Sequence, residues 1–518
     1  MKSKNKKAKA ICFLGTGSGV GKSLIVAAVC RLLWQKGIKV APFKAQNMAL
    51  NSFVTLDGKE MGRAQVYQAE ACGLTPDVRM NPILLKPSAD ARSQVIVMGK
   101  PKGELNAKTY YTHYEEHLKI VQSAYDSLSK EYECIVIEGA GSPAEINLQK
   151  TDLVNMQMAK YANAPVVLIG DIDRGGVFAW LKGTYDLVGN EHKHRIKAFL
   201  INKFRGDISL LEPGLKQFEE IVPVPFLGVL PWLQNIQIDQ EDGVFLKEIE
   251  RQDPNATIKI AILRLARISN FTDFSAFLIE PDVSIKIVTY PYEAEDADVI
   301  IIPGSKATIS DYKILENWGW KKALHKFALT GKIIVGICGG YQMLGQSIED
   351  PKGIEGSIKD IDAFGLLPIK TVIKAQKHLR QKEAVIDSFN IFSPLLKRLK
   401  NNPYILNERF IKVKGYEIHM GESVLINKKN IISLFQDAKE DLGVLKKNPY
   451  IIGTYLHGIF DNDLFRRKFL DAIRIKKGLI PIKTISSLSK FKISQFDLLA
   501  DWFKKNVNIE MLIKLIGI

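Results

Sequence analysis

Ile11-Cys12-Phe13-Leu14-Gly15-Thr16-Gly17-Ser18-Gly19-Val20-Gly21-Lys22-Ser23 begins as an uninterrupted apolar run and then breaks into glycines. A short apolar run of this kind reads as a buried strand, and a helix is expected to open at Ser23. Between strand and helix, glycines let backbone N–H groups and the helix N-terminus cradle phosphates. Gly15, Thr16, Gly17, Gly19 and Gly21 would form that cradle. Lys22 would bring a point charge to the terminal phosphates, and the Ser23 hydroxyl would sit on Mg²⁺. The common spacing wants glycine at position 16; here Thr16 stands there and Gly15 comes one residue earlier, which lengthens the loop. A merely flexible strand–helix turn is the competing reading, and Gly21-Lys22-Ser23 in this context speaks against it.

Working outward, apolar runs at 11–14, 39–43, 134–137, 165–169 and 198–202 alternate with helical stretches as far as about residue 230. Buried parallel strands read as such runs, so a doubly wound α/β sheet is expected. Ligands of these sheets gather at the carboxyl ends of strands, where the loops 15–23, 138–142, 171–176 and 202–207 fall. Glu138, in Ile137-Glu138-Gly139-Ala140-Gly141, ends one strand as a second candidate Mg²⁺ ligand; a cap for the next turn is its alternative role. A second alternating set runs through 258–263, 284–290, 299–302, 332–337 and 450–455, so the fold class is α/β with two doubly wound domains. The expected organisation is a basic extension at 1–8, a phosphate-loop domain at 9–232, a charged linker at 233–257, a second domain at 258–475 and a helical tail at 476–518.

The second domain carries its own reactive loop. A buried run at 332–335 leads into Gly336-Ile337-Cys338-Gly339-Gly340-Tyr341-Gln342. One nucleophile among small residues, between strand and helix, describes a nucleophile elbow, and the helix N-terminus favours the thiolate. A cysteine needs a base, and among eight histidines His457 stands out, in Gly453-Thr454-Tyr455-Leu456-His457-Gly458, again where a strand ends.

At 518 residues the chain needs more than one core. Its formal net charge of +16 suits a polyanionic small substrate, but charge alone favours a basic surface without a specific partner. No aromatic-interleaved basic stretch or zinc-finger spacing occurs, so nucleic acid is not expected as a partner. Five scattered cysteines without a C-x-x-C pair argue against a disulfide framework and a structural zinc site. The first apolar run is shorter than the roughly 7–15 residues of a secretory signal, and no run approaches the roughly 18 of a membrane span. A cytoplasmic protein without membrane partners is expected; nothing in the sequence sets its oligomeric state.

The lengthened phosphate loop resembles that of dethiobiotin synthetase and its relatives, which phosphorylate a carboxylate with ATP. That resemblance implies Mg²⁺ on Glu138 and adenine near Asn202, in Ile201-Asn202-Lys203, where an ordinary loop role stays open. The partition and cell-division ATPases of the same superfamily carry an extra early lysine where this chain has Gly17, which speaks against a ParA/MinD-like switch. The Cys338 and His457 segments resemble class I glutamine amidotransferases, in which cysteine attacks the glutamine side chain and releases ammonia. By that analogy the backbone N–H groups of Gly339 and Gly304 serve the oxyanion, and Gln342 contacts glutamine. The glutamate usual two residues beyond the histidine is Ile459 here, which leaves open what orients His457.

Taken in order, Lys44-Ala45-Gln46-Asn47-Met48-Ala49-Leu50-Asn51-Ser52, Gly62-Arg63-Ala64-Gln65, Asp171-Ile172-Asp173-Arg174-Gly175-Gly176, Asn202-Lys203-Phe204-Arg205-Gly206-Asp207 and Gly415-Tyr416-Glu417-Ile418-His419-Met420-Gly421 resemble phrases of the cobyric acid synthase family. The usual proline before Gln46-Asn47 is Ala45 here. The resemblance implies ATP- and glutamine-dependent amidation of the b, d, e and g carboxylates of adenosylcobyrinic acid a,c-diamide, giving adenosylcobyric acid. It makes a corrin the small-molecule substrate and places Gln46, Asn47, Asp171, Asp173 and Arg174 near it. Asp173 has an alternative role as the cap of a helix starting near Gly175. The same chemistry on another acid, as in cobyrinic acid a,c-diamide synthases, is the nearest rival.

Overall fold

The structure, a computed structural model, describes residues 7–89, 92–233, 236, 250–396, 408–436 and 442–518. Most of the expected basic extension and, within the expected linker, residues 234–235 and 237–249 lie outside the described residues. By contact the chain divides into two units, one of 1–49, 60–241 and 492–518 and one of 50–59 and 242–491.

The first unit is built on six parallel strands in the order Phe226–Pro231, Ile196–Phe204, Val166–Asp171, Lys9–Gly15, Cys134–Glu138, Val40–Phe43. Their apolar side chains are almost all buried, as continuous apolar runs require of a sheet covered on both faces. The first strand lies centrally with later strands on either side, so its carboxyl end is the switch point where such sheets hold ligands. Helix Lys22–Gln35 leaves that end buried along most of its length, in one apolar cluster with Phe496, Leu499, Phe503 and Leu512. Arg31 on this helix pairs with Asp497 at 2.8 Å, so the C-terminal residues belong to this unit's core. A smaller sheet of Gln46–Met48, Ile83–Ala89, Arg92–Val97 and Lys100–Asn106 adds to the unit.

The second unit holds a seven-stranded sheet ordered Val283–Val288, Ile258–Leu263, Val299–Ile302, Ile333–Ile337, Ile451–Thr454, Gly443–Lys446, Ile431–Ser433. The first five strands are parallel and the last two antiparallel. Beside it stands a four-stranded sheet whose long members, Ile369–Asp387 and Phe410–Leu425, pair antiparallel. Among the described residues no helix is long and apolar enough to cross a membrane.

An ion network crosses the interior of the second unit. Glu280 accepts from Arg466 Nε at 2.7 Å and from Arg467 Nη1 at 2.8 Å, and Arg467 also meets Asp282 and Asp471. Glu280, Arg466, Arg467 and Asp471 are all fully buried. Removing one partner leaves buried guanidinium charge uncompensated. Glu280→Ala should therefore lose about 3–5 kcal/mol of stability in denaturant unfolding, whereas truncating an exposed pair such as Lys414–Glu383 should leave stability nearly unchanged.

Candidate functional site

Two reactive loops are present, one in each unit. In the first, Thr16 N–H donates to Ile169 O at 2.9 Å, which extends the strand ladder one residue into the glycine loop. Gly19 (φ 73°) and Gly21 (φ 97°) adopt left-handed backbone that residues with a Cβ resist. A Cβ at Gly21 would lie 2.3 Å from Asn202 Nδ2, so the close approach of loop and strand end also demands glycine. A Cβ at Gly15 would lie 2.5 Å from Val20 and 3.1 Å from Lys22 Nζ, whereas Gly17 faces open space. Lys22 is buried, its ammonium donating to Gly17 O at 2.9 Å and Gly141 O at 3.1 Å. It is thereby stretched along the loop, where an incoming phosphate would find it.

Ser23 Oγ donates to Glu138 Oε1 at 2.7 Å. The same carboxylate, fully buried, meets Lys44 Nζ at 2.8 Å and accepts from Gln68 Nε2 at 2.5 Å. Glu138 thus faces the phosphate loop and does not cap the turn after it. Asn202 Nδ2 donates to Val20 O at 2.8 Å and so braces the loop. Asp171 accepts from Lys203 at 2.8 Å and from the Asp173 N–H at 3.0 Å. Asp173 pairs with Arg205 at 3.2 Å and caps nothing: the next helix, Val177–Leu187, starts after a left-handed Gly176 with no side-chain cap. Arg174 is exposed, with Nη2 3.6 Å from where a Cβ on Gly19 would stand. Gln46 accepts from the Tyr110 hydroxyl, and Asn47, buried, donates to Gln65 Oε1 at 3.1 Å. Lys44 lies within a phrase quoted above, but nothing in the spacing of Lys44 and Gln68 announces that they meet Glu138.

In the second unit Cys338 follows strand Ile333–Ile337 and precedes the short helix Gly339–Met343. Its backbone sits at φ 53°, ψ −108°, a conformation that L-residues avoid and that nucleophile elbows impose. The Cys338 N–H donates to Thr454 O at 2.8 Å, and the thiol approaches Ile418 O at 3.6 Å. A Cβ on Gly340 would lie 2.0 Å from Ile302 O and one on Gly336 2.6 Å from Gly340 O, so the small residues let the strands close around the turn. Gly304 and Gly339 flank the elbow: a Cβ on Gly339 would lie 2.8 Å from Ser305 N, and one on Gly304 3.3 Å from His457 Cε1. Gln342, buried beside them, engages both ends of its amide within the protein, with Thr308 and Tyr455 at 3.2 Å each.

His457 is fully buried. Its Nδ1 lies 2.7 Å from Asp273 Oδ2, a residue the sequence reading did not single out. Its Nε2 meets no partner at ordinary hydrogen-bond geometry among the described residues. Burial opposes charging of this imidazole, but the Asp273 carboxylate and the Cys338 sulfur outweigh it and push its pKa up to about 10. Tyr416 stacks on the ring with centroids 5.3 Å apart. His419, by contrast, is pushed down by burial and sits between the Gly421 carbonyl and Glu417.

A phosphate-loop unit joined to a cysteine–histidine amidotransferase unit defines the class of glutamine-dependent amidoligases. Residues 11–244 match the CobQ/CobB/MinD/ParA nucleotide binding domain, and 259–465 match the CobB/CobQ-like glutamine amidotransferase domain. Proteins named cobyric acid synthase are 43% identical in Caldanaerobacter subterraneus, over 96% of both chains, and 47% identical in Limosilactobacillus reuteri, over 97% of both. One from Salmonella heidelberg is 43% identical over 97% of both chains. The chain belongs to the cobyric acid synthase family, which sets aside the ATPase-switch reading.

The raised His457 pKa has a thermodynamic sign. With the folded value near 10 and the unfolded value near 6.5, its contribution to stability is complete below about pH 6.5 and is lost as pH rises through about 10. The stability gap between the native chain and His457→Gln, measured by denaturant unfolding, should shrink steadily from about pH 7 to about pH 9.5; a constant gap contradicts the pairing.

Proposed function

We infer that this chain amidates the b, d, e and g carboxylates of adenosylcobyrinic acid a,c-diamide, consuming one ATP and one glutamine per amide and yielding adenosylcobyric acid. The observation that carries the reading is the pairing of a Cys338 elbow and a phosphate loop on one chain whose relatives, matched nearly end to end, are named cobyric acid synthase.

At the second site Cys338 Sγ attacks the side-chain amide carbon of glutamine. The C–N bond breaks as the His457 proton at Nε2 passes to the departing nitrogen, and ammonia leaves. Water then attacks the thioester, releasing glutamate and restoring the thiol. The oxyanion of both steps is served by the Gly339 and Gly304 N–H groups, with Gln342 beside the bound glutamine. At the first site a corrin carboxylate oxygen attacks the γ-phosphorus of ATP, ADP departs, and ammonia displaces phosphate from the acyl carbon to leave an amide. Gly15, Thr16, Gly17, Gly19 and Gly21 hold the phosphates, Lys22 neutralises their charge, and Asn202 stands at the adenine side.

Mg²⁺ fits this site. Ser23 and Glu138 set a hydroxyl and a carboxylate side by side, hard oxygen donors of the kind the ion takes. When bound, it withdraws charge from the transferring phosphoryl group. Gln46, Asn47, Asp171, Asp173 and Arg174 are the residues we assign to the neighbourhood of the acceptor carboxylate.

Cys338→Ala should abolish glutamine-supported amidation, a loss on the order of a millionfold in the chemical step, while synthesis from high ammonium persists. Loss of both activities in a folded variant contradicts the two-site scheme. Lys22→Ala should stop amidation from either nitrogen source, and normal turnover in that variant removes the phosphate-loop assignment.

A further inference from the structure

We propose that Asp273 is the positioning residue of the glutaminase centre, fixing His457 with Nδ1 protonated and Nε2 turned to Cys338. The proposal rests on the glutaminase reading above and supplies the orienting carboxylate that position 459 lacks.

Position 459 has no means of doing this. Ile459 is buried in the apolar core of the unit. Asp273, 184 residues earlier in the chain, comes from the 3-10 segment Phe271–Ile279 and grips two consecutive residues of the histidine turn. Its Oδ2 lies 2.7 Å from His457 Nδ1, and its Oδ1 accepts the Gly458 N–H at 2.8 Å. The two side chains are 0% and 2% exposed, so water does not compete for the contact. A buried carboxylate accepts but cannot donate, so the hydrogen between them stays on Nδ1 and the lone pair or second proton belongs to Nε2.

The carboxylate is itself held. The Asp273 N–H donates to Asn270 O at 3.1 Å, and Asn270 turns the chain in the left-handed region at φ 53°. Asn270 Oδ1 accepts the Ser52 N–H at 3.1 Å, and Asn51 Oδ1 accepts the Phe271 N–H at 3.2 Å. The imidazole is confined from its other sides by the stacked Tyr416 ring and by Gly304, whose missing side chain leaves room for Cε1. Tyr416 and His457 also exchange backbone hydrogen bonds at 3.2 and 2.9 Å. Ring, carboxylate and turn therefore form one preorganised unit, with Nε2 left unpartnered among the described residues.

The test compares the full-length native chain with Asp273→Asn in glutamine hydrolysis and in ammonium-supported amidation, the latter reporting a folded chain. The amide can present N–H to Nδ1 and trap the wrong tautomer. kcat for glutamine should fall by about 10³–10⁴-fold, with KM within about twofold. If the native chain hydrolyses no glutamine, the glutaminase reading fails and takes the proposal with it. If the native chain is active and a folded Asp273→Asn keeps its kcat within about tenfold, or loses only KM, the proposal fails alone. Should Asp273→Asn not fold, ¹⁵N-histidine spectra of the native chain decide, with His457→Gln identifying the signal. Nδ1 should stay protonated from about pH 6 to about pH 9; Nδ1 without its proton there overturns the assignment.

Discussion

Each reactive loop is fastened by the last rung of a parallel ladder. Thr16 N–H reaches Ile169 O at 2.9 Å and Cys338 N–H reaches Thr454 O at 2.8 Å, both one residue past the end of a strand. A buried parallel strand must satisfy its backbone up to its carboxyl end, and the next residue is then held by a neighbour while its own turn begins. Everything reactive depends on that anchorage. It sets where the glycine loop departs, where the strained cysteine stands, and which side chains from adjacent strand ends can meet them.

The two sites differ in how charge is arranged around that anchorage. At the phosphate loop the positive groups Lys22 and Lys44 are buried and already paired, with loop carbonyls and with Glu138. Such a site is poised for an anion, because the incoming phosphates replace contacts that the protein makes with itself. At the elbow the charge lies in a buried pair, Asp273 and His457, next to Cys338. A carboxylate behind an imidazole in a water-excluded setting favours the protonated ring and holds it still, as the proposed proton transfer to departing ammonia requires.

Much of this was legible because it is contiguous. Glycine-Lys22-Ser23 after an apolar run, and Cys338 between glycines, state their geometry within a dozen residues, and each apolar run read as a strand lies within two residues of an observed one, although strands Phe226–Pro231, Ile431–Ser433 and Gly443–Lys446 of the same sheets were not among them. What was not legible is what folding assembles from afar. Asp273 lies in Asn270-Phe271-Thr272-Asp273-Phe274, which reads as apolar core with a polar interruption. Its meaning depends on a histidine 184 positions on. Arg31 and Asp497 join the C-terminal residues to the first unit across 466 positions, and no periodicity encodes that. Residues 50–59, which follow Gln46-Asn47 directly in sequence, belong by contact to the second unit and brace the Asp273 turn. The alternative role of Asp173 as a helix cap failed for a local reason, since Gly175 and Gly176 both take left-handed backbone and delay the helix to Val177.

The account joins two chemistries to one acceptor, and product mass tests that union most directly. The purified chain would be supplied with adenosylcobyrinic acid a,c-diamide, ATP, Mg²⁺ and glutamine, and the corrin followed by mass spectrometry. Four successive mass shifts, each the exchange of one hydroxyl for one amino group, are the predicted result. An unchanged corrin beside continuing glutamine hydrolysis would contradict it.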